Sequence, residues 1–140
     1  MINALDISTS ALVAQRTRLN AITGNIANVS TTRNEQGETI PYQSRTVVFE
    51  VDETTATYDG GIGVRVSSVE TEDKEPLWRS QPGHPDAQTS GEKKGYVAYP
   101  NINLVNEMVD ATEATRAYEA NIGIIEVSKG MTAQTLRIVG

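Results

Sequence analysis

Apolar residues recur at alternating three- and four-residue steps at both ends of this chain, and every proline lies between the two ends. Near the N-terminus Leu5, Leu12, Leu19 and Ile26 stand seven residues apart, with Ser8, Gln15 and Ile22 at the intervening positions. Toward the C-terminus Leu104, Met108, Ala111, Thr115, Tyr118, Ile122, Ile125, Lys129, Thr132, Leu136 and Val139 keep the same spacing. That period is helical, and the five prolines, from Pro41 to Pro100, interrupt neither end. A helix that exposes one apolar seam needs a partner, and each end is the other's nearest candidate. The pattern therefore predicts a mainly α fold with a small β-rich insert. Its long N- and C-terminal helices pack as a coiled-coil-like hairpin that extends into subunit contacts. Three segments follow: an N-terminal helix in 1–30, a β-rich and irregular insert in 31–100, and a C-terminal helix in 101–140.

Charge and composition narrow the function classes. The net charge of −6 disfavours nucleic acid, which needs a basic surface to neutralise phosphates, and an anionic membrane surface equally. Residues 33–100 hold seven basic and twelve acidic side chains, so the insert carries most of that charge and the ends are nearly neutral. Near-neutral ends suit surfaces destined for burial. Aromatic residues make up 5% of the chain, too few for a large aromatic core. Cysteine is absent, which excludes disulfides and thiolate metal sites. No basic stretch followed by an apolar one marks a cleaved secretory signal, and no apolar run reaches the ~18 residues of a membrane span.

The first helix is expected from about Asn3, with Asp6 at capping-box spacing, to about Asn28, where Val29 to Asn34 gather turn-forming residues. Its interior is rich in Ser, Thr, Asn and Gln, so its order must come from packing. Ser44 to Val51 is β-branched and aromatic and predicts a strand. Asp59-Gly60-Gly61 signals a turn, and Gly63 to Glu70 predicts a second strand with Val64 and Val66 on one face and Arg65 and Ser67 on the other. Glu70 to Glu75 reads as a solvated edge or loop. Pro76 to Pro100, with four prolines and three glycines, predicts an extended, irregular segment. The second helix should start at Asn101 or Asn103, either of which can cap it, and run to about Ile138. Some 36 residues of helix span roughly 54 Å, longer than a globule of this size, so part of it must project or meet another molecule. Gly123 and Gly130 in that helix admit two readings, close approach of another backbone or tolerance at a surface.

The residues do not assemble an enzyme. His84 is the lone histidine, which leaves no histidine cluster for zinc, and between Gly83 and Pro85 it reads as a turn residue. Asp52 with Glu53, and Glu72 with Asp73, lie in runs beside Thr and Lys that form solvated faces. Gly60-Gly61-Ile62-Gly63 lacks the lysine and following helix of a phosphate loop. No catalytic, cofactor-binding or metal residue is assigned, and no cofactor or small-molecule substrate is expected. The candidate packing residues are Leu5, Leu12, Leu19, Ile22, Ile26, Leu104, Met108, Tyr118, Ile122, Ile125 and Leu136. Four polar residues on the helices, Asn25, Asn28, Arg116 and Asn121, are candidates for hydrogen bonds that fix register; the alternative is that they are exposed. Trp78 anchors the loop either to the helices or to a neighbouring subunit.

Stretches in both halves of the chain carry a family resemblance. Leu19-Asn20-Ala21-Ile22-Thr23-Gly24-Asn25-Ile26-Ala27-Asn28 resembles the element shared by axial rod and hook proteins near the end of their first helix. Gly83-His84-Pro85-Asp86-Ala87, then Gly95 to Asn103, then Glu107-Met108-Val109-Asp110, then Arg116-Ala117-Tyr118-Glu119-Ala120-Asn121 resemble in order the C-type proximal rod pattern. The chain thus looks like a bacterial flagellar basal-body rod protein of the C type. Val29 to Thr32 departs from the usual continuation, and residues 33–40 and 52–75 match only in character.

The resemblance implies a structural subunit of the proximal rod that polymerises helically and transmits torque from the motor to the distal rod and hook. It implies terminal helices in the axial core and an outward-facing insert. The implied partners are copies of itself, the B-, F- and G-type rod proteins, and the inner-membrane ring with its export-gate base and adaptor protein. The implied location is the periplasmic rod, reached by type III export without a cleaved signal. A rival reading of the same helices is a soluble helical adaptor or export-chaperone-like protein that binds one flagellar or secretion partner.

Overall fold

The computed structural model describes the backbone of residues 2–139 and the side chains of residues 4–138. Helix α1 spans Ile2–Ala27 and helix α2 spans Leu104–Val139. Between them lie strands β1 (Arg45–Asp52), β2 (Gly63–Thr71), β3 (Leu77–Ser80) and β4 (Tyr96–Tyr99), with one short 3-10 turn at Glu53–Thr55. The expected capping side chain Asn3 and the last seam residue, Val139, lie outside the described side chains.

The helices form an antiparallel hairpin. Arg18 of α1 reaches Asp110 and Glu113 of α2 at 3.6 and 3.7 Å, and Asn25, one to two turns further along α1, reaches Glu107, nearer the start of α2. At equal rise along both helices, that match brings the beginning of α1 level with about Ser128 of α2. Residues 129–139 therefore extend past α1 by roughly 16 Å. The line of α2 that faces α1 is built around small residues at its centre. Ala114 is completely buried and Ala14 of α1 nearly so, with Ala111, Ala117, Asn121, Ile125 and Ser128 half-buried along the same side.

Asn103 caps α2: its Oδ1 accepts from the backbone N–H of Val105 (3.1 Å) and Asn106 (3.3 Å). Asn101, the other candidate, instead donates from Nδ2 to the carbonyl of Glu75 at 3.0 Å.

Strands β1 and β2 pair antiparallel, Val47 with Val69, Phe49 with Val66 and Val51 with Val64. A bulge between Val48 and Phe49 leaves Ser67 without an opposite residue. This hairpin lies against α1. Ser10 Oγ of α1 accepts from the N–H of Val64 at 3.1 Å, and Gly63, buried, leaves no room for a side chain: a Cβ there would sit 2.6 Å from Ser10 Oγ and closer still to Thr55 Oγ1. Gly60 adopts φ of +82° in the turn before β2, a conformation that favours glycine.

The stretch from Pro76 to Pro100 differs from its sequence expectation. It contains a second two-stranded antiparallel sheet, in which Trp78 faces Ala98 and Arg79 faces Val97. Each strand is only four residues long, too short for alternation to register, and the pairing spans a long connection. Val97 is the one large side chain among the described residues that is fully enclosed. Arg79 lies over the ring of Tyr99 at 4.7 Å and Lys93 over Trp78 at 4.1 Å.

Candidate assembly interface

Asn25 lies on the last full turn of α1 and is almost entirely buried. Its Oδ1 accepts from the backbone N–H of Arg45 at 2.8 Å and from the hydroxyl of Tyr42 at 3.2 Å. Its Nδ2 donates to the carbonyl of Arg45 at 2.9 Å and to Oε2 of Glu107 at 3.1 Å. All four hydrogen-bonding positions of the amide are used, and they join α1, the first residue of β1 and the first turn of α2. The other three polar candidates sit differently. Asn28 Nδ2 donates to the carbonyl of Gly24 at 2.9 Å and its Oδ1 accepts from Thr31, which closes the end of α1. Asn121 Nδ2 donates to the carbonyl of Ala117 in its own helix at 2.8 Å. Arg116 is exposed.

The apolar candidates divide by exposure. Ile22 is buried, and Leu5, Leu12, Leu19, Ile26, Tyr118 and Ile125 are half-buried. Leu104, Met108, Ile122 and Leu136 are exposed, Met108 and Leu136 to 54% and 69%. Val105, Val109, Ile124, Val127, Met131 and Ile138 are exposed too. The spacing of the seam did not single these out, because α2 turns its alanine-lined side to α1 and leaves larger side chains uncovered. Apolar exposure at both ends of one helix, Leu104 to Val109 and Ile122 to Ile138, marks an interaction surface.

A second junction ties the β3–β4 unit to the exit of α1. Asp86, its side chain 7% exposed, accepts from Thr32 Oγ1 at 2.6 Å and from Arg33 Nε at 2.6 Å, and it forms an ion pair with the same guanidinium. The hydrogen bond from Arg33, then that from Thr32, hold its carboxyl below the usual carboxylate range. His84 Nδ1 accepts the N–H of Asp86 at 3.1 Å and so shapes the turn that presents this carboxylate. Trp78 shares a small cavity with Thr32, Thr39 and Asp86. The junction lies in the Gly83–Ala87 stretch noted above, but its partners, 53 and 54 residues earlier, carry no local signal.

The acidic pairs are structural. Asp52 Oδ1 accepts from the N–H of Thr54 at 3.1 Å, and Glu72 accepts from Ser44 at 2.8 Å. The hydrogen bond from Lys74, then that from Ser44, lower the Glu72 pKa. Among the described residues no group of three or more His, Asp or Glu is placed to hold a metal ion. No helix there is long and apolar enough to cross a membrane.

A hairpin of terminal helices that leaves apolar side chains of α2 uncovered fits a structural subunit of a larger assembly. The family model described as flagella basal body rod protein matches residues 5–33, and that for the C-terminal part of the flagellar basal body rod FlgEFG proteins matches residues 93–138. The flagellar basal-body rod protein FlgC of Borreliella burgdorferi is 42% identical, over 99% of this chain and 97% of its own length. That of Salmonella typhimurium is 38% identical over 99% and 97%, and that of Bacillus subtilis 34% over 97% and 96%. The chain belongs to the flagellar basal-body rod protein family, in its C-type proximal rod branch. It is a structural component of the basal-body rod and not an enzyme, and it associates with rod subunits.

Proposed function

We propose that this chain polymerises helically with itself and with the B-, F- and G-type rod proteins, and that the resulting rod carries torque from the motor to the distal rod and hook. The observation that carries the reading is the two groups of exposed apolar side chains on α2, Leu104 to Val109 and Ile122 to Ile138, on a chain of this family. Burying ~100 Å2 of such surface in a neighbour contributes on the order of 2.5 kcal/mol, so many modest contacts share the load. In this reading 1–30 and 101–140 form the axial core, with the coiled-coil-like seam continued between subunits. Residues 31–100 face outward. Asn25 fixes the register of α1 against α2, and the inner-membrane ring, export-gate base and adaptor protein meet the subunit at the rod's base. Export proceeds without signal cleavage through the type III route to the periplasmic rod.

The test is Ile122→Asp. Ile122 is 37% exposed in the single chain, so the purified variant should melt close to the unsubstituted protein. In cells it should fail to form rods, because the charge would be unpaired in a subunit contact. Normal motility of the variant would sink the proposal, and a stable complex with one soluble partner would favour the adaptor reading.

A further inference from the structure

The two sheets of the insert are attached to the molecule in different ways. Strands β1 and β2 pack on α1, whereas β3 and β4 pack mainly on each other. The chain enters and leaves the β3–β4 unit through one narrow neck. There Asn101 Nδ2 donates to the carbonyl of Glu75 at 3.0 Å, and Lys93 Nζ stands 3.8 Å from Oε1 of the same residue. Beside the neck lies a cleft of about 160 Å3, lined by Tyr42, Ser44 and Lys74 from the segments flanking β1 and β2, and by Pro76, Tyr99 and Pro100 from the unit. Open space thus separates the two sheets at this point. Away from the neck, Asp86 alone joins residues 76–100 to the rest by hydrogen bond or ion pair among the described residues. Both of its partners, Thr32 and Arg33, belong to the loop that follows α1. Inside the unit the bonding is dense. The N–H of Gln81 donates to the carbonyl of Gly95 at 2.9 Å, that of Gly95 to the carbonyl of Gln88 at 2.8 Å, and the Tyr99 hydroxyl to Gln81 Oε1 at 2.8 Å.

We infer that residues 76–100 form an arm that swings as one body about the neck at Glu75 and Asn101, and that Asp86 is the latch holding it against the loop after α1. A segment with many internal bonds and few outward ones opens as a unit, and a single charged contact gives two discrete states, latched and free. The charged groups within ion-pair reach of the Asp86 carboxylate are Arg33 and, when protonated, His84 on the same turn at 3.9 Å. Hydrogen bonds from Arg33 and Thr32 lower the Asp86 pKa. The latch is therefore complete above the unfolded value of about 3.9 and is released as pH falls through the folded one. The motion of the arm does not depend on the polymerisation reading; its use does. In a rod of unlike subunits, a swinging arm meets different neighbours without repacking α1 against α2.

The absence of native cysteine allows pairs of spin labels to be placed on the purified full chain at exposed sites. Glu92→Cys with Arg116→Cys spans the arm and α2, Ser80→Cys with Glu92→Cys lies within the arm, and Val13→Cys with Arg116→Cys spans the two helices. At pH 7 the arm–helix pair should give one population of distances in the parent background. Adding Asp86→Asn should bring in a second population for that pair alone. Arg33→Gln should do the same, and Arg33→Lys, which keeps the charge, should do so least. Acidifying the parent background through about pH 4 should also produce the second population, and the Asp86→Asn chain should show no further change over that range. An arm–helix distance that stays single in both Asp86→Asn and Arg33→Gln overturns the inference. So does a matching change within the arm or between the helices, because the chain would then be unfolding and not swinging. Either result leaves the rod-subunit reading standing, which the motility of Ile122→Asp decides separately.

Discussion

The side-chain amide of Asn25 pairs with both backbone groups of Arg45, Oδ1 with the N–H at 2.8 Å and Nδ2 with the carbonyl at 2.9 Å. A side chain of α1 thus takes the place of a neighbouring strand at the first residue of β1, and its second donor position reaches Glu107 of α2. Asn25→Ala removes all these bonds and leaves partly buried backbone groups unpaired, a loss of about 1–3 kcal/mol. Urea unfolding should show a lower midpoint with unchanged slope. Asn25→Asp should be no better, because it exchanges the donor facing Glu107 for a like charge.

Gly63 should tolerate no side chain. The Cβ of Gly63→Ala would meet Ser10 Oγ and Thr55 Oγ1 inside van der Waals distance, and both oxygens already accept backbone N–H bonds, from Val64 and Gly63. Overpacking of this kind costs about 1–3 kcal/mol. Thermal unfolding followed by circular dichroism would register it, whereas Gly123→Ala, which faces open space in α2, should raise helix stability in the isolated chain by up to ~1 kcal/mol.

Asp86 makes the β3–β4 unit sensitive to acid. Its carboxyl has a lower pKa in the fold than in the unfolded chain, so its contribution is complete above the unfolded value of about 3.9 and is lost as pH falls through the folded one. Asp86→Asn should therefore be less stable than the parent at pH 7, with the gap closing on acidification below about pH 4. Parallel denaturation curves from pH 7 to pH 2 would test this; a constant gap would remove the carboxylate from the account.

Asn103→Ala should cost about 1 kcal/mol through loss of the α2 cap. The effect should appear as faster amide exchange at Val105 and Asn106, whose N–H groups Asn103 binds, while residues beyond Ala114 stay protected.

The two helices were legible because their period is sustained over many turns, and β1 and β2 because Val47 to Val51 and Val64 to Val66 are rich in valine with turn glycines between them. The strand pair β3–β4 was not, since four-residue strands joined across residues 81–95 are defined by their pairing alone. The same holds for the junctions. Asn25 stood out as an asparagine on a helix, but nothing local names Arg45 or Glu107 as its partners. Asp86 sat in a recognisable stretch without any sign of Thr32 or Arg33.

Periodicity, proline placement and the matching stretches were enough to establish two terminal helices around a small β insert and membership of the rod family, because such signals act through neighbours close along the chain. The rotation of α2 about its axis came only with the tertiary structure. Ala14 and Ala114 are small enough to let the helices approach closely, and that choice turns Met108, Val127, Met131 and Ile138 outward. Which apolar side chains are left for a neighbour is decided by how the helices pack, a property of the whole fold that no stretch of sequence contains.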